Sequence, residues 1–235
     1  MNVLDLFSGI GGFSLGLERA GMRTVAFCEI DPHAREVLKK HWPQVPIFTD
    51  VSSLKKDHIN ENIEVIAGGF PCQDISTAGL GAGLSGRRSG LWFQYHRLIN
   101  EIRPRYAIIE NVSALRRRGL GEVLRSLATI GYDAEWHCIP ASALGAPHQR
   151  DRIWIMAYPH SAQCKGSRLS SRTYSEYADA CSAGWWKAEP PLDRVANGIP
   201  GQSHRLKQLG NAVVPQIPEL LGRAIMEYER VNAVG

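Results

Sequence analysis

Along the first 160 residues, segments with the apolar–polar pattern of strands alternate with segments that have the pattern of helices. Strands are predicted at residues 2–7, 24–30, 63–68, 106–111, 133–141 and 152–158, of which the first two are short apolar runs. Between them, one helix is predicted to end at Gly21, and a second is predicted to begin with Asp31 as N-cap and Pro32 as the first helical residue. Two more helices are predicted near residues 89–102 and 118–130. This alternation predicts an α/β fold with a mostly parallel sheet and helices on both faces.

The pattern changes after Tyr158. Residues 159–191 are rich in Ser, Ala and Gly and show no sustained periodicity, whereas helical spacing returns between Ile217 and Tyr228. We therefore expect residues 158–207 to form a small lobe of their own. Residues 1–157 and 208–235 are expected to form the main domain.

Composition narrows the class of protein. The 235 residues are 44% hydrophobic and 21% charged, which is typical of a globular domain and excludes a fibrous repeat. No apolar run approaches the roughly 20 residues that span a bilayer, and Asp5 stands where a signal peptide would be basic, so we expect a cytoplasmic protein with no membrane partner. The five cysteines are widely spaced without a C-x-x-C pair, which predicts neither disulfides nor a metal site.

Positive charge is concentrated in one part of the chain. The net charge is only +4, but eight arginines and two glutamates lie between Thr77 and Arg118, a local balance of +6. This density is typical of a surface that faces a polyanion. Solvated helix faces are the alternative, and charge alone does not separate the two.

A glycine-rich turn, "FSGIGG", follows the first predicted strand, where ligands bind in an open parallel sheet. Glu29 ends the second strand, where an acid can accept ribose hydroxyls, and Asp50 follows a presumed third strand, where it could accept an exocyclic amine. The pair predicts a nucleoside-containing cofactor. A dinucleotide fits less well, because the glycines are not in G-x-G-x-x-G register; two solvated acids remain the alternative.

One cysteine stands out in "GGFPCQDIS", residues 68–76. Gly69 and Pro71 interrupt the preceding strand, so Cys72 is poorly placed for core packing. A thiol near positive charge or a helix N-terminus forms a thiolate readily. Cys72 is therefore a candidate nucleophile, and a buried small apolar residue is the alternative.

Two further strand ends carry polar groups. Glu110 follows a continuous apolar strand, where a desolvated carboxyl could stay protonated and donate a hydrogen bond. Arg150 and Arg152 begin another strand at alternate positions, which places them on one face. They could bind an anionic or heterocyclic substrate, or could instead form an ion pair with Asp151 or Glu110.

Five motifs in order, "DLFSGIGGFSLGLERAG", "GGFPCQDIS", "ENV", "QRDRIWIM" and "QLGNAVVP", resemble the DNA (cytosine-5)-methyltransferases of the small prokaryotic and phage type. The resemblance covers residues 1–157 and 194–230. It implies a Rossmann-like methyltransferase fold with a mostly parallel seven-stranded sheet, plus a short target-recognition lobe. It also implies an enzyme that uses S-adenosyl-L-methionine and releases S-adenosyl-L-homocysteine.

The resemblance assigns the catalytic roles. Cys72 would attack C6 of a cytosine flipped out of duplex DNA, so that C5 becomes nucleophilic enough to accept the methyl group. Glu110 would contact the N3 and amino edge of the base. Arg152 would hold O2, and Arg150 would order the cysteine loop.

The resemblance also implies two sets of binding residues. The cofactor set is Phe7, Ser8, Gly9, Gly11, Glu29, Ile30, Asp50, Val51, Pro71, Asn211 and Val213. The DNA-binding set is Ser76, Arg87, Arg88, Arg168, Arg172, Lys187 and Arg194. We expect the protein to be a monomer that binds double-stranded DNA. A cognate restriction endonuclease is a second expected partner.

Three features depart from the family pattern. His148 stands where the family usually has Gln, Arg194 is the only counterpart of an arginine motif, and residues 158–193 are short for a recognition domain. A DNA-binding or cofactor-binding protein without turnover is therefore a second hypothesis. A Rossmann-like oxidoreductase is a third, but it leaves Cys72 and Glu110 unexplained.

Overall fold

The computed structural model describes residues 1–71, 90–161 and 208–233. Its strands are β1 (Asn2–Leu6), β2 (Arg23–Cys28), β3 (Ile47–Phe48), β4 (Val65–Gly69), β5 (Tyr106–Val112), β6 (Tyr132–Pro140) and β7 (Asp151–Pro159). Its α-helices are α1 (Gly12–Arg19), α2 (Pro32–His41), α3 (Gly90–Ile102), α4 (Leu115–Arg118), α5 (Leu120–Thr129) and α6 (Gln216–Asn232). Short 3-10 helices cover Lys56–His58 and Ala141–Leu144.

The seven strands form one sheet in the order β3-β2-β1-β4-β5-β7-β6. All neighbouring pairs are parallel except those of β7, which runs antiparallel to both β5 and β6. The predicted mostly parallel, seven-stranded sheet is therefore confirmed. The strand order changes direction between β1 and β4, and ligands of such sheets bind beyond the carboxyl ends of the strands at this point.

Alternate residues of β1 point into different apolar layers. Leu4 packs in a cluster with Trp92 of α3, whereas Val3 packs in a second cluster with Leu17 of α1 and Leu220 of α6. A period of two along a strand puts successive side chains on opposite faces of the sheet. Helices therefore cover both faces, as predicted.

Helix α6 lies directly against α1, close to the first turn after β1. A Cβ atom on Gly16 would lie 2.2 Å from the Pro215 carbonyl oxygen, and one on Gly222 would lie 2.7 Å from the Ala20 Cβ. Glycine at these two positions allows the backbones to approach this closely. The segment before α6 is thereby held beside the glycine turn, since a Cβ on Gly12 would lie 2.5 Å from the Val213 oxygen.

Helix α2 begins as the sequence predicts. The Asp31 carboxylate accepts hydrogen bonds from the backbone N–H groups of His33 (2.9 Å) and Ala34 (3.2 Å), and Pro32 occupies the first helical position. Among the helices within the described ranges, none is long and apolar enough to cross a membrane.

Candidate active site

A cavity of about 420 Å³ opens at the carboxyl edge of the sheet. The predicted site residues that line it are Phe7, Gly9, Glu29, Ile30, Asp50, Val51, Pro71, Glu110, Arg150, Arg152 and Asn211. Residues from distant parts of the sequence thus meet at one edge of the sheet. Ser8, Gly11 and Val213, which the resemblance also assigns to the cofactor, are not among the lining residues.

The turn after β1 depends on left-handed backbone conformations. Gly9 has φ 54° and Gly11 has φ 87°, a region that favours glycine, and Phe7 adopts φ 53° although it carries a side chain. A Cβ on Gly11 would lie 2.6 Å from the ring of Trp42. Ser8 is buried behind the turn. Phe7 and Gly9 therefore face the cavity, while Ser8 and Gly11 shape the turn from behind.

Glu29 is held in place by backbone donors. Its Oε2 accepts from Gly9 N and its Oε1 from Asp31 N, both at 2.7 Å. The side chain is buried but lines the cavity. Each carboxylate oxygen has a second lone pair, so the fixed carboxylate can still accept hydrogen bonds from hydroxyl groups of a ligand.

Ile30 is an apolar side chain exposed at the cavity, with 77% of its surface accessible. Its carbonyl oxygen accepts a 2.5 Å hydrogen bond from Arg35 Nη1, which fixes the local backbone. Apolar lining with a few placed polar groups is typical of sites for small organic ligands. Ile30 is well suited to pack against a flat apolar ring.

Asp50 is an exposed acid at the same end of the cavity. Hydrogen bonds from the Ser52 hydroxyl (2.7 Å) and backbone N–H (2.8 Å) lower the pKa of the Asp50 carboxyl. The group is therefore ionised at neutral pH and can accept from a ligand amine.

Arg97 of α3 organises the segment that follows Asp50, a role that the sequence analysis missed. Its Nη2 donates to the carbonyl oxygens of Val51 (3.0 Å) and Leu54 (2.9 Å). Its Nη1 forms a 2.7 Å ion pair with Glu101. The only local signal was the i,i+4 spacing of Arg97 and Glu101, which is common on exposed helices.

Glu110 and Arg152 form the second group of polar residues in the cavity. Arg152 Nε lies 2.9 Å from Glu110 Oε1, and Arg152 is opposite Val112 in the β5–β7 ladder. Burial raises the pKa of the Glu110 carboxyl, while the charges of Arg152 and Arg150 oppose this shift. Of the interactions left open by the sequence, the ion pair between Arg152 and Glu110 is observed.

Arg150 points elsewhere than Arg152. It precedes β7 with a left-handed φ of 39°, and its guanidinium donates to the carbonyl oxygens of Gly210 (2.9 Å) and Ala212 (2.6 Å). Arg150 thus contacts the segment before α6 and Arg152 contacts β5, although both line the cavity. Asn211 lies between the two carbonyls in sequence and also lines the cavity.

The end of β5 is tied to the segment that leads to the predicted nucleophile. Asn111 Nδ2 donates a 3.0 Å hydrogen bond to the Phe70 carbonyl oxygen, and Pro71 lines the cavity. The remaining predicted residues, Cys72, Ser76, Arg87, Arg88, Arg168, Arg172, Lys187 and Arg194, lie outside the described residues. Within the described part of the chain, no group of three or more His, Cys, Asp or Glu side chains could hold a metal ion.

The chain is similar in sequence to one family of known proteins. The family model "C-5 cytosine-specific DNA methylase" matches residues 1–190. The type II methyltransferase M2.BsuMI of Bacillus subtilis is 38% identical over 165 residues, covering 67% of this chain and 42% of the relative. M.CviJI of Paramecium bursaria Chlorella virus IL3A is 33% identical over 214 residues, covering 90% and 56%.

Solved structures give the same result. A DNA modification methyltransferase encoded within a prophage (E. coli) aligns with TM-score 0.60 and 30% identity, over 71% of this chain and 49% of that one. The S. pombe Dnmt2 methyltransferase aligns with TM-score 0.61 and 22% identity, over 75% and 54%, which supports the fold. The chain spans about half the length of the relatives it matches. Since the family model covers most of its residues, the chain belongs to the C-5 cytosine-specific DNA methylase family.

Proposed function

We propose that the chain is a DNA (cytosine-5)-methyltransferase that acts on a cytosine flipped out of duplex DNA. The observation that carries the proposal is the composition of one cavity. One end of the cavity, at Glu29, Ile30 and Asp50, is suited to a nucleoside, and we call it the nucleoside-type end. The same cavity is lined by the Glu110–Arg152 ion pair. The wall of the same cavity includes Pro71, the residue before Cys72 in the sequence.

The nucleoside-type end fits S-adenosyl-L-methionine. Ile30 would pack against the adenine ring, Glu29 would accept the ribose hydroxyls, and Asp50 would accept the adenine amine. The remaining proposed contacts come from Phe7, Gly9, Val51, Pro71 and Asn211, with Ser8, Gly11 and Val213 supporting them from behind the lining. When bound, the cofactor supplies the methyl group and leaves as S-adenosyl-L-homocysteine.

The residues of the chain act on the cytosine. The Cys72 thiolate attacks C6, and the electron pair of the C5–C6 bond becomes available at C5. Glu110 in its protonated form donates to N3, and Arg152 donates to O2, so both stabilise the negative charge that develops on the ring. After C5 is methylated, loss of the C5 proton restores the double bond and expels the thiolate.

Duplex DNA is the proposed substrate. Extrusion of the base costs roughly a few kcal/mol, which contacts to the DNA must offset. We assign backbone contacts to Ser76, Arg87 and Arg88. Base recognition is assigned to residues 158–207, through Arg168, Arg172, Lys187 and Arg194, beside a catalytic domain of residues 1–157 and 208–235. We further propose that the protein is monomeric and that a cognate restriction endonuclease accompanies it.

Methyl transfer to DNA tests the proposal. The protein should transfer label from methyl-labelled S-adenosyl-L-methionine to duplex DNA, and Cys72→Ser should abolish the transfer while DNA and cofactor still bind. Cys138→Ser, which changes a half-buried thiol of β6, is the matched control and should stay active. Absence of transfer by the unmodified protein to any DNA, with cofactor bound, would refute the proposal in favour of a binding protein.

The covalent step has its own test. Duplex DNA with 5-fluorocytosine at the target should trap a protein–DNA adduct, because fluorine cannot leave as a proton does. Bisulfite sequencing of DNA from expressing cells would first supply the target sequence. Methylation of a confirmed site without any trapped adduct would remove Cys72 from the proposed role.

A further inference from the structure

Three consecutive arginines follow β5 on the helical turn α4. Arg116, Arg117 and Arg118 are exposed, whereas Leu115 at the start of the turn is completely buried in the core. We call residues 116–118 the arginine turn. We propose that the arginine turn is a contact site for the phosphate backbone of the DNA whose cytosine enters the cavity, an inference that rests on the proposed function.

The position of the arginine turn supports this partner. Val112 lines the cavity and pairs with Arg152 in the sheet. Arg116 lies four positions after Val112 in the sequence, a path of at most about 14 Å. Each DNA strand carries a phosphate for about every 3.4 Å of helix axis. The backbone that flanks a cytosine in the cavity is therefore within reach of long arginine side chains on this turn.

The charges of Arg116 and Arg117 are not neutralised by acidic residues of the described structure. Arg97, Arg105 and Arg152 each form an ion pair with a glutamate. Arg116 and Arg117 form none with any described residue, and no acidic residue occurs between Asn111 and Gly121 in the sequence. Exposed cations without acidic partners are suited to phosphate, because binding releases counterions from the DNA.

The arginine turn is anchored to the core of the domain. Leu115 has no exposed surface and belongs to the same apolar cluster as Val123 and Leu127 of α5. The backbone N–H groups of Arg116 and Arg117 also bond to the carbonyls of Ser113 (3.2 Å) and Ala114 (3.1 Å). Because the backbone is already ordered, the conformational entropy lost on DNA binding is confined to the side chains.

The salt dependence of DNA binding tests the inference. The double variant Arg116→Gln/Arg117→Gln is compared with Lys39→Gln/Lys40→Gln, which removes the same charge from exposed residues of α2. Strand β2, which precedes α2, is three strands from β5 in the sheet. Affinity for a duplex containing the target site is measured over a series of salt concentrations, with S-adenosyl-L-homocysteine present.

The arginine variant should show a slope of log K against log salt that is shallower by about 0.9 for each phosphate that the turn no longer neutralises, or up to about 1.8 for both arginines. The lysine variant should keep the slope of the unmodified protein. Equal slopes for all three proteins, or equal reductions in both variants, would overturn the inference. Cofactor binding by each variant confirms folding, and methylation by the unmodified protein shows separately whether the proposed function holds.

Discussion

Arg152 and Glu110 face each other across the junction of β5 and β7, with Nε and Oε1 2.9 Å apart. The pair joins the last strand of the parallel part of the sheet to the one antiparallel strand of its seven. A carboxyl that burial drives towards its neutral form thus lies beside a guanidinium that favours its ionised form. This balance is what the proposed role of Glu110 at N3 of a cytosine requires, since the carboxyl must hold a proton and release it.

Glu110→Gln should lower kcat by at least about 100-fold, which is typical for loss of a group that transfers a proton in the transition state. Glutamine fits the space and can donate to N3, but it cannot give up a proton. Affinity for S-adenosyl-L-homocysteine should change little, because Glu29, Ile30 and Asp50 are unaltered. Single-turnover methylation and calorimetry measure the two quantities.

The pH profile gives a further check on Glu110. Its pKa is raised by burial, so the protonated carboxyl persists to higher pH than an ordinary glutamate, and single-turnover rates should fall as the pH rises through that raised pKa. The fall should be absent from the residual activity of Glu110→Gln. A variant that keeps the wild-type profile at reduced rate would assign the titration to another group.

Asp5 predicts a dependence of stability on pH. Burial raises the pKa of its carboxyl from 3.8 to about 7, against opposing hydrogen bonds from Ser14. The folded protein therefore holds a proton that the unfolded chain releases above pH 4. The resulting contribution to the free energy of unfolding is complete below about pH 4 and is lost as the pH rises to about 7, at up to about 1.4 kcal/mol per pH unit.

Asp5→Asn should remove this slope, because the asparagine side chain does not titrate. Chemical denaturation at a series of pH values between 4 and 7 measures it. Asp57→Asn, a change at an exposed residue, is the control and should retain the slope. Parallel stability curves for the unmodified protein and Asp5→Asn would show that Asp5 does not carry the proton.

Arg150→Lys should weaken binding of S-adenosyl-L-homocysteine by about 10-fold or more, since each hydrogen bond to a charged group contributes roughly 1.5–3 kcal/mol. A lysine keeps the charge but cannot span the carbonyls of Gly210 and Ala212, which hold Asn211 at the cavity. Arg152→Lys is the matched comparison and should lower kcat while cofactor affinity is retained. Calorimetry and single-turnover rates separate the two effects.

The reverse result for Arg150→Lys, normal cofactor affinity with a reduced kcat, would return Arg150 to the role that the family resemblance implies. In that role it orders the cysteine loop. Both arginines would then affect catalysis, Arg152 at the cytosine and Arg150 through the cysteine loop.

The sequence predicted the elements of the sheet well because most strands are short apolar runs bounded by polar or glycine residues, and β6 alternates apolar and polar residues. It predicted β2 to extend to residue 30, but the strand ends at Cys28. The reason is local: the Glu29 carboxylate accepts from Asp31 N, which turns the chain towards α2. The direction of β7 has no counterpart in the pattern, because an apolar run has the same form in parallel and antiparallel strands.

The candidate site was predicted where a residue stands at or near the end of a strand, as Glu29 does directly after β2 and Glu110 does two residues before the end of β5. The supporting arginines were harder to predict. Arg150 contacts residues 60 and 62 positions away, and Arg97 contacts residues 43 and 46 positions away. No periodicity or spacing encodes such contacts, because they arise only when α3, β7 and the C-terminal segment pack on the same sheet.

Arg97→Lys should weaken cofactor binding by about 10-fold without changing kcat at saturating cofactor. Lysine can keep the ion pair with Glu101, but it cannot also hold the carbonyl oxygens of Val51 and Leu54, so the segment after Asp50 would lose its fixed position. Glu101→Gln is the matched control, since it removes only an exposed helical ion pair of about 0.3–0.5 kcal/mol. Its effect on affinity should be about twofold or less.

An analogue of S-adenosyl-L-homocysteine that lacks the adenine amine sharpens the test, because Asp50 is the proposed acceptor of that amine. The unmodified protein should lose affinity for the analogue, and Arg97→Lys should lose less, since its Asp50 is no longer well placed. Calorimetry with both ligands and both proteins gives the coupling between Arg97 and the amine. Equal losses in the two proteins would show that Arg97 stabilises the fold without positioning the adenine end of the cavity.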